Sequence, residues 1–266
     1  MYRNKIQIVL FGMMLLFLPS CRDNGPGDNP VAGETVLQLK TPSGVDFDWE
    51  AAPNALVNGA SCKISLSEGS PAIGVEASSA GEYEIIIPAE AYSRARKCFV
   101  LPPAQIPSAS GAADPRFFPM HARTDASGEV CLEPLVGIVK INVKGSGRLM
   151  SAYLSAPSLS GTFGFDGESL SADSSYPLCP FTVVNAAGNG SGLETSGLYA
   201  AVPPGNYSDG ITVRVTDNNH HVGYASVGAR EIKAGNVVEV NVDFAASADI
   251  LFAEHFDNCA WGGDCL

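Results

Sequence analysis

Residues 135–144 read Leu135-Val136-Gly137-Ile138-Val139-Lys140-Ile141-Asn142-Val143-Lys144 (LVGIVKINVK), and how this stretch is read decides the fold. Val139, Ile141 and Val143 share one side of a two-residue period, and Lys140, Asn142 and Lys144 share the other. That alternation marks a strand with one wet face. The first half carries apolar side chains toward both faces, so the strand is expected to start fully buried, in the centre of a sandwich sheet. Gly145-Ser146-Gly147 turns the chain into a strand over 149–154, and Ser158-Leu159-Ser160-Gly161 is expected to turn it again into Thr162–Phe165.

The same period continues outward in both directions. Upstream, Val36-Leu37-Gln38-Leu39 opens a strand, and Tyr83, Ile85 and Ile87 line one face of another that ends at Pro88. Cys98-Phe99-Val100-Leu101 stops at Pro102-Pro103, where the backbone can no longer donate to a ladder. Residues 104–116, rich in Pro, Ser, Ala and Gly, read as loop. Downstream, Leu198–Val202 ends at Pro203-Pro204-Gly205. Ile211–Thr216 and Val222–Val227 flank Asp217-Asn218-Asn219 as a β-hairpin. Ala234-Gly235-Asn236 then leads into a strand with Val238, Val240, Val242 and Phe244 on one face. No window shows helical periodicity, and many short strands between turn signals make an all-β sandwich.

Composition narrows the function. Hydrophobic residues at 45% argue for a packed core, and 28 Gly and 18 Pro for many turns. The net charge of −12 becomes −14 once residues 1–20 are removed, because Arg3 and Lys5 go with them and 14 basic residues then face 28 acidic ones. Such a chain repels phosphate backbones, which disfavours nucleic acid and any electrostatic grip on anionic lipid.

The N-terminus carries its own signal. Arg3 and Lys5 precede the apolar run Ile6 to Leu18, which falls short of the about 20 apolar residues a membrane span needs. Leu18-Pro19-Ser20-Cys21 then resembles the lipobox of bacterial lipoproteins, with Pro19 departing from the usual pattern. That resemblance implies that residues 1–20 are a lipoprotein signal peptide, that the Cys21 thiol takes a diacylglycerol, and that the new amine is acylated, palmitate being the typical chain. The alternative is an ordinary secretory signal with Cys21 a bystander. Residues 21–33 form a flexible tether rich in Gly, Pro, Asp and Asn. Asp23 and Asp28 are a thin version of the acidic export signal of some surface lipoproteins, and Arg22 interrupts them.

Phe117-Phe118-Pro119-Met120, CLEPLVGIVKINVKGSG (131–147), LSAPSLSG (154–161), VPPGNYSDGITVRVTD (202–217) and IKAGNVVEV (232–240) together resemble the fimbrillin-like surface lipoproteins, relatives of type V pilus subunits. The resemblance spans most of residues 80–245 and rests on strand and turn patterns rather than a catalytic signature. It implies two transthyretin-like or Ig-like antiparallel β-sandwich lobes, expected here at 34–166 and 167–247; Ile250, Phe252 and Phe256, which can share a strand face, make 248–266 an expected extra strand or the start of a truncated module. It also implies an outer-membrane, lipid-anchored protein, outward at the cell surface, whose partners are other pilus or surface proteins. In true pilins a protease cuts after an arginine and removes an N-terminal strand, opening a groove for a neighbour's strand. Arg22 is the only arginine between Cys21 and the first strand, so a cut there removes no strand, and Arg94 and Arg96 would serve only if the first strand came much later. A non-polymerising, anchor or tip protein is therefore favoured over a shaft subunit.

Sites for chemistry are scarce. No GxSxG, HExxH or P-loop occurs, so the chain is read as no enzyme, with no cofactor. His121, His220, His221 and His255 show no ligand spacing, and neighbours such as His220 and His221 project to opposite faces of a strand, so no metal is expected. Cys62, Cys98, Cys131, Cys179, Cys259 and Cys265 could form up to three disulfides, with Cys259–Cys265 closing the tail as the candidate pair. Cys62 and Cys131 sit in apolar strand patterns and read as buried free thiols. Trp49, Tyr207 in the loop Asn206-Tyr207-Ser208-Asp209, and Trp261 are candidate contacts for a partner or a glycan. The function that follows is adhesion or pilus assembly; the alternative is a surface glycan-binding lipoprotein of a polysaccharide-uptake system.

Overall fold

The computed structural model describes residues 34–50, 52–76, 81–125, 128–172, 175–188 and 192–244. The readings placed on the signal peptide, Cys21, the tether and the C-terminal segment with His255, Cys259, Trp261 and Cys265 lie outside the described residues.

The described chain is all-β, with two single-turn 3-10 segments at Ala89–Ala91 and Pro115–Phe117. In chain order the strands are β1 (Glu34–Lys40), β2 (Asn54–Val57), β3 (Ala60–Ser67), β4 (Ser70–Glu76), β5 (Tyr83–Ile87), β6 (Tyr92–Ser93), β7 (Cys98–Leu101), β8 (Ala104–Gln105), β9 (Met120–Thr124), β10 (Gly128–Cys131) and β11 (Glu133–Pro134). They continue as β12 (Gly137–Lys144), β13 (Leu149–Phe165), β14 (Leu170–Ala172), β15 (Cys179–Asn185), β16 (Gly197–Val202), β17 (Gly205–Tyr207), β18 (Ile211–Asp217), β19 (Val222–Val227), β20 (Arg230–Ile232) and β21 (Val237–Asp243). Arg94 and Arg96 follow β6, far past the first described strand at Glu34.

One sheet runs β10-β1-β4-β3-β2-β5-β9-β11, antiparallel except for the β1–β10 pair. Its inward residues, among them Leu37, Ile64, Ile73, Ile85 and Met120, build the first core, and β6, β7, β14 and the end of β13 add Phe99, Phe163, Phe165 and Leu170 to it. The second core lies between β16-β12-β21 and β19-β18-β13-β15-β8 and holds Val139, Ile141, Leu154, Val184, Val213 and Val240. Each such side chain contributes about 1.5–3 kcal/mol on leaving water. β12 is the central strand of its sheet, with β16 antiparallel on one side and β21 parallel on the other.

The cores do not divide in chain order. Leu135, Val136 and Ile138 belong to the first and Val139, Ile141 and Val143 to the second, so the stretch that is apolar on both faces is the seam between two cores. β13 makes the return crossing. Its Leu149, Ala152, Leu154 and Leu159 pack in the second core, and its Phe163 and Phe165 in the first. The turn expected at 158–161 is a bend inside this one 17-residue strand. Ser158 at φ +65° and Gly161 at φ +133° supply positive φ, and the register against β15 shifts between Ser155 and Ser160. Residues that signal a turn serve equally well in a bulge that swings a strand from one sheet to another. At Gly161 a side chain would also meet Leu178 at 2.8 Å.

Two cysteine expectations are corrected. Cys131 is exposed, because it follows inward-facing Val130 and so points the opposite way. Cys62 is buried as expected, but it is disulfide-bonded rather than free. Cys98, Cys131 and Cys179 are free thiols.

Candidate functional site

Two of the proposed contact residues are placed inside the protein. Trp49 is buried among the first-core residues, its ring 6.0 Å from that of Phe47, which meets Phe118 edge-on. Tyr207 is buried in β17, and its hydroxyl donates to the Pro203 carbonyl at 2.7 Å. That is the bond of a tyrosine corner, which pins a strand to the loop before it, and burial pushes the phenol well above its ordinary pKa. Neither ring offers a face to a ligand in solvent. The pattern signals were aromatic residues beside loops, which mark pins and core anchors as readily as contact sites.

His220 and His221 lie in the turn between β18 and β19, not on a strand. His220 adopts φ +63°, and His221 Nδ1 sits 3.2 Å from Asp217 Oδ2. The Asp217 carboxylate is fully buried and accepts the backbone N–H groups of Gly147, Asn219 and His221 at 3.0, 2.9 and 2.8 Å. Burial disfavours its charge, but these donors outweigh burial and hold its pKa below the usual carboxylate value. Its role is to tie the hairpin tip to the turn before β13. Among the described residues no group of three His, Cys, Asp or Glu is placed to hold a metal ion.

A second polar cluster flanks β5 and β9. Glu84 pairs with Arg123 at 3.0 Å and lies 3.5 Å from the buried His121 Nε2, which finds no hydrogen-bond geometry among its neighbours. The His121 ring packs edge-on against Phe165. Burial lowers its pKa, and Glu84 only partly restores it. An open groove of about 460 Å³ beside this cluster is lined by Asn58, Glu82, Tyr83, Glu84, Arg123, Thr124 and Asp125. The Asn58 side chain accepts from the Glu84 N–H and donates to the Glu82 carbonyl, so this edge is internally satisfied.

A further organised surface is the outer face of β19-β18-β13-β15. Register aligns Tyr224, Arg214, Tyr153 and Val183 in one row across the four strands, and Ser226, Thr212, Ser155 and Phe181 in the next. The Arg214 guanidinium lies 5.4 Å from the Tyr153 ring centre, and Tyr153 stacks on Phe181 at 5.7 Å with 19° between the ring planes. Arg214 and Thr212 are exposed, and Tyr153 and Phe181 are half-buried. Sequence reading missed this face, although the signal was present in the alternation of Ile211–Thr216, whose outward positions include Arg214.

No family model matches the chain, and no curated protein matches it in sequence. Solved structures do. A "putative cell adhesion protein" from Bacteroides uniformis is similar at 11% identity with a TM-score of 0.51, over 79% of this chain and 93% of that one. A protein given the same description from Bacteroides ovatus is similar at 12% identity and a TM-score of 0.49, over 79% and 91%. A fimbrial assembly protein from Parabacteroides distasonis is similar at 10% identity and a TM-score of 0.39, over 78% and 90%. At such identities a likeness concerns architecture, and this chain shares the fold of the Bacteroides uniformis protein.

Proposed function

We propose that this chain is a fimbrillin-like, lipid-anchored protein of the outer membrane, displayed at the cell surface and serving adhesion or pilus assembly rather than catalysis. The observation that carries this reading is the shared fold with the Bacteroides uniformis protein, which is described as one of cell adhesion and is covered over 93% of its length. The strand and turn motifs from Phe117 to Val240 support the pilus side of it. Leu18-Pro19-Ser20-Cys21 supports the anchor, since several acyl chains at about 0.8 kcal/mol per buried methylene hold a protein that its own charge would not. The first described strand starting at Glu34, with only Arg22 between it and Cys21 in the sequence, supports an anchor, tip or non-polymerising role over a shaft subunit.

The test uses cells expressing the full chain. Cys21→Ala should release the protein from the membrane fraction and abolish labelling by a palmitate analogue, and protease added to intact cells should digest the wild type. Co-purification with pilus or surface proteins should survive mild detergent. Labelling that persists in the variant overturns the anchor, and a wild type that co-purifies with no surface protein and confers no adherence overturns the role.

A further inference from the structure

We propose that the outer face of β19-β18-β13-β15 is a saccharide-binding surface that takes a glycan bearing an isolated carboxylate sugar, with Arg214 gripping the carboxylate. The site does not depend on the adhesion and assembly reading.

The argument starts with Arg214. A guanidinium presents five N–H donors in a fixed fork that matches a carboxylate. Several cations of this acidic chain pair with acids, Lys40 with Glu129, Arg116 with Asp114, Arg123 with Glu84 and Lys140 with Glu239, whereas Arg94 and Arg230 donate to backbone carbonyls and Arg96 lies over the Tyr176 ring. Among the described residues no carboxylate pairs with Arg214. It is held instead over the Tyr153 ring, which fixes its position and leaves its donors to solvent. The outward positions of the four strands around it carry no Asp or Glu, although acidic residues outnumber basic ones 28 to 16 in the whole chain. A cation already aimed and with no anion among the described residues is complementary to an external carboxylate.

The rest of the face selects what bears that carboxylate. Tyr153 and Phe181 supply half-exposed rings on which the C–H face of a sugar can stack. Thr212 and Ser155, in register beside them, offer hydroxyls that both donate and accept, as sugar hydroxyls require. The surface is an extended sheet face, not a cavity, which suits a chain of sugars more than a small molecule. Rings and hydroxyls alternate across the face, as the C–H faces and hydroxyls of a sugar chain do. One guanidinium against a net charge of −12 cannot hold a polyanion, so the carboxylate must be sparse along a largely neutral glycan.

The experiment is calorimetric titration of the full chain with a panel of oligosaccharides each carrying one glucuronate, every member paired with its own carboxyl-reduced form, and with a hexaglutamate peptide. An acid-bearing member should bind saturably and its reduced partner about tenfold more weakly, with Arg214→Ala producing a loss of the same order. Arg214→Lys should recover part of it, and Phe181→Ala should weaken both members of the pair. All three variants alter the outer face and should leave the thermal midpoint near that of the wild type. If no acid-bearing member binds more tightly than its reduced partner, or if Arg214→Ala changes nothing, the proposal is overturned. Hexaglutamate binding as tightly, with the same dependence on Arg214, overturns it in favour of an acidic protein segment. Any of these failures would leave fractionation and co-purification, and the reading they test, untouched.

Discussion

Gln105 meets Ala201 as though the two were ladder neighbours: its Nε2 donates to the Ala201 carbonyl at 2.9 Å and its Oε1 accepts the Ala201 N–H at 2.9 Å. Ala201 lies on β16, the edge of the β16-β12-β21 sheet, and Gln105 on β8, the edge of the facing sheet. One buried side-chain amide thus satisfies an edge that has no strand beside it, and it closes one side of the second core. Gln105→Leu leaves both backbone groups buried and unpaired, at about 1–3 kcal/mol each. Urea unfolding should show a loss of about 2–5 kcal/mol, and a loss below 1 kcal/mol would mean that the amide is incidental.

Asp217→Asn replaces a two-oxygen acceptor by one oxygen and an amine, which cannot accept from Gly147, Asn219 and His221 together. The expected cost is about 1–3 kcal/mol. Because burial is outweighed by those donors and the folded pKa is depressed, the stability from Asp217 is present above its ordinary 3.8 and lost as pH falls through the folded value. The wild type and the variant should therefore converge in acid, as read by thermal melts at stepped pH.

His121 shifts stability with pH in the same direction from a different cause, the burial of a group that is charged when protonated. Burial lowers its pKa below the ordinary 6.5, against the pull of Glu84 and Glu133 and with Arg123 adding to it. The unfolded chain takes up a proton that the folded chain resists, so stability is whole above pH 6.5 and declines as pH falls below it. His121→Phe keeps an aromatic ring against Phe165 and should flatten the melting temperature between pH 6.5 and 5. Equal slopes in the two proteins would remove His121 from the account.

Gly223 on β19 leaves room for β21. A side chain there would come within 2.5 Å of Val242 Cγ1 and 3.0 Å of the Phe244 ring. Gly223→Ala should cost about 1–3 kcal/mol by overpacking. Pairing the substitution with Val242→Ala should recover part of the loss, and a double variant no better than the single one would place the strain elsewhere.

Much of this fold was readable from alternation. Val139, Ile141 and Val143, and likewise Val238, Val240, Val242 and Phe244, point inward as their two-residue period requires. The hairpin over Ile211–Val227 follows from the same period and the turn chemistry of Asp217 and its neighbours. What the period could not reveal was which core a buried residue joins. Ile138 and Val139 are adjacent and both fully buried, yet they pack in different cores. Nor could it separate a turn from a bulge at Ser158 and Gly161, because positive φ serves both. Surface readings fared differently. Trp49 and Tyr207 drew notice as large aromatic residues and are buried, while Tyr153, Phe181 and Arg214 converge only once three strands are in register.

β13 gives the molecule a mechanical property. A load that enters through one lobe need not pass through a flexible linker, because the same covalent chain leaves the ladder with β15 and β18 and enters the ladder with β7 and β14 without a loop between. Stretching the two lobes apart therefore pulls along β13 itself, and its neighbours must slide past it with many hydrogen bonds breaking together rather than one at a time. That arrangement makes the pair of lobes yield as a single stiff element.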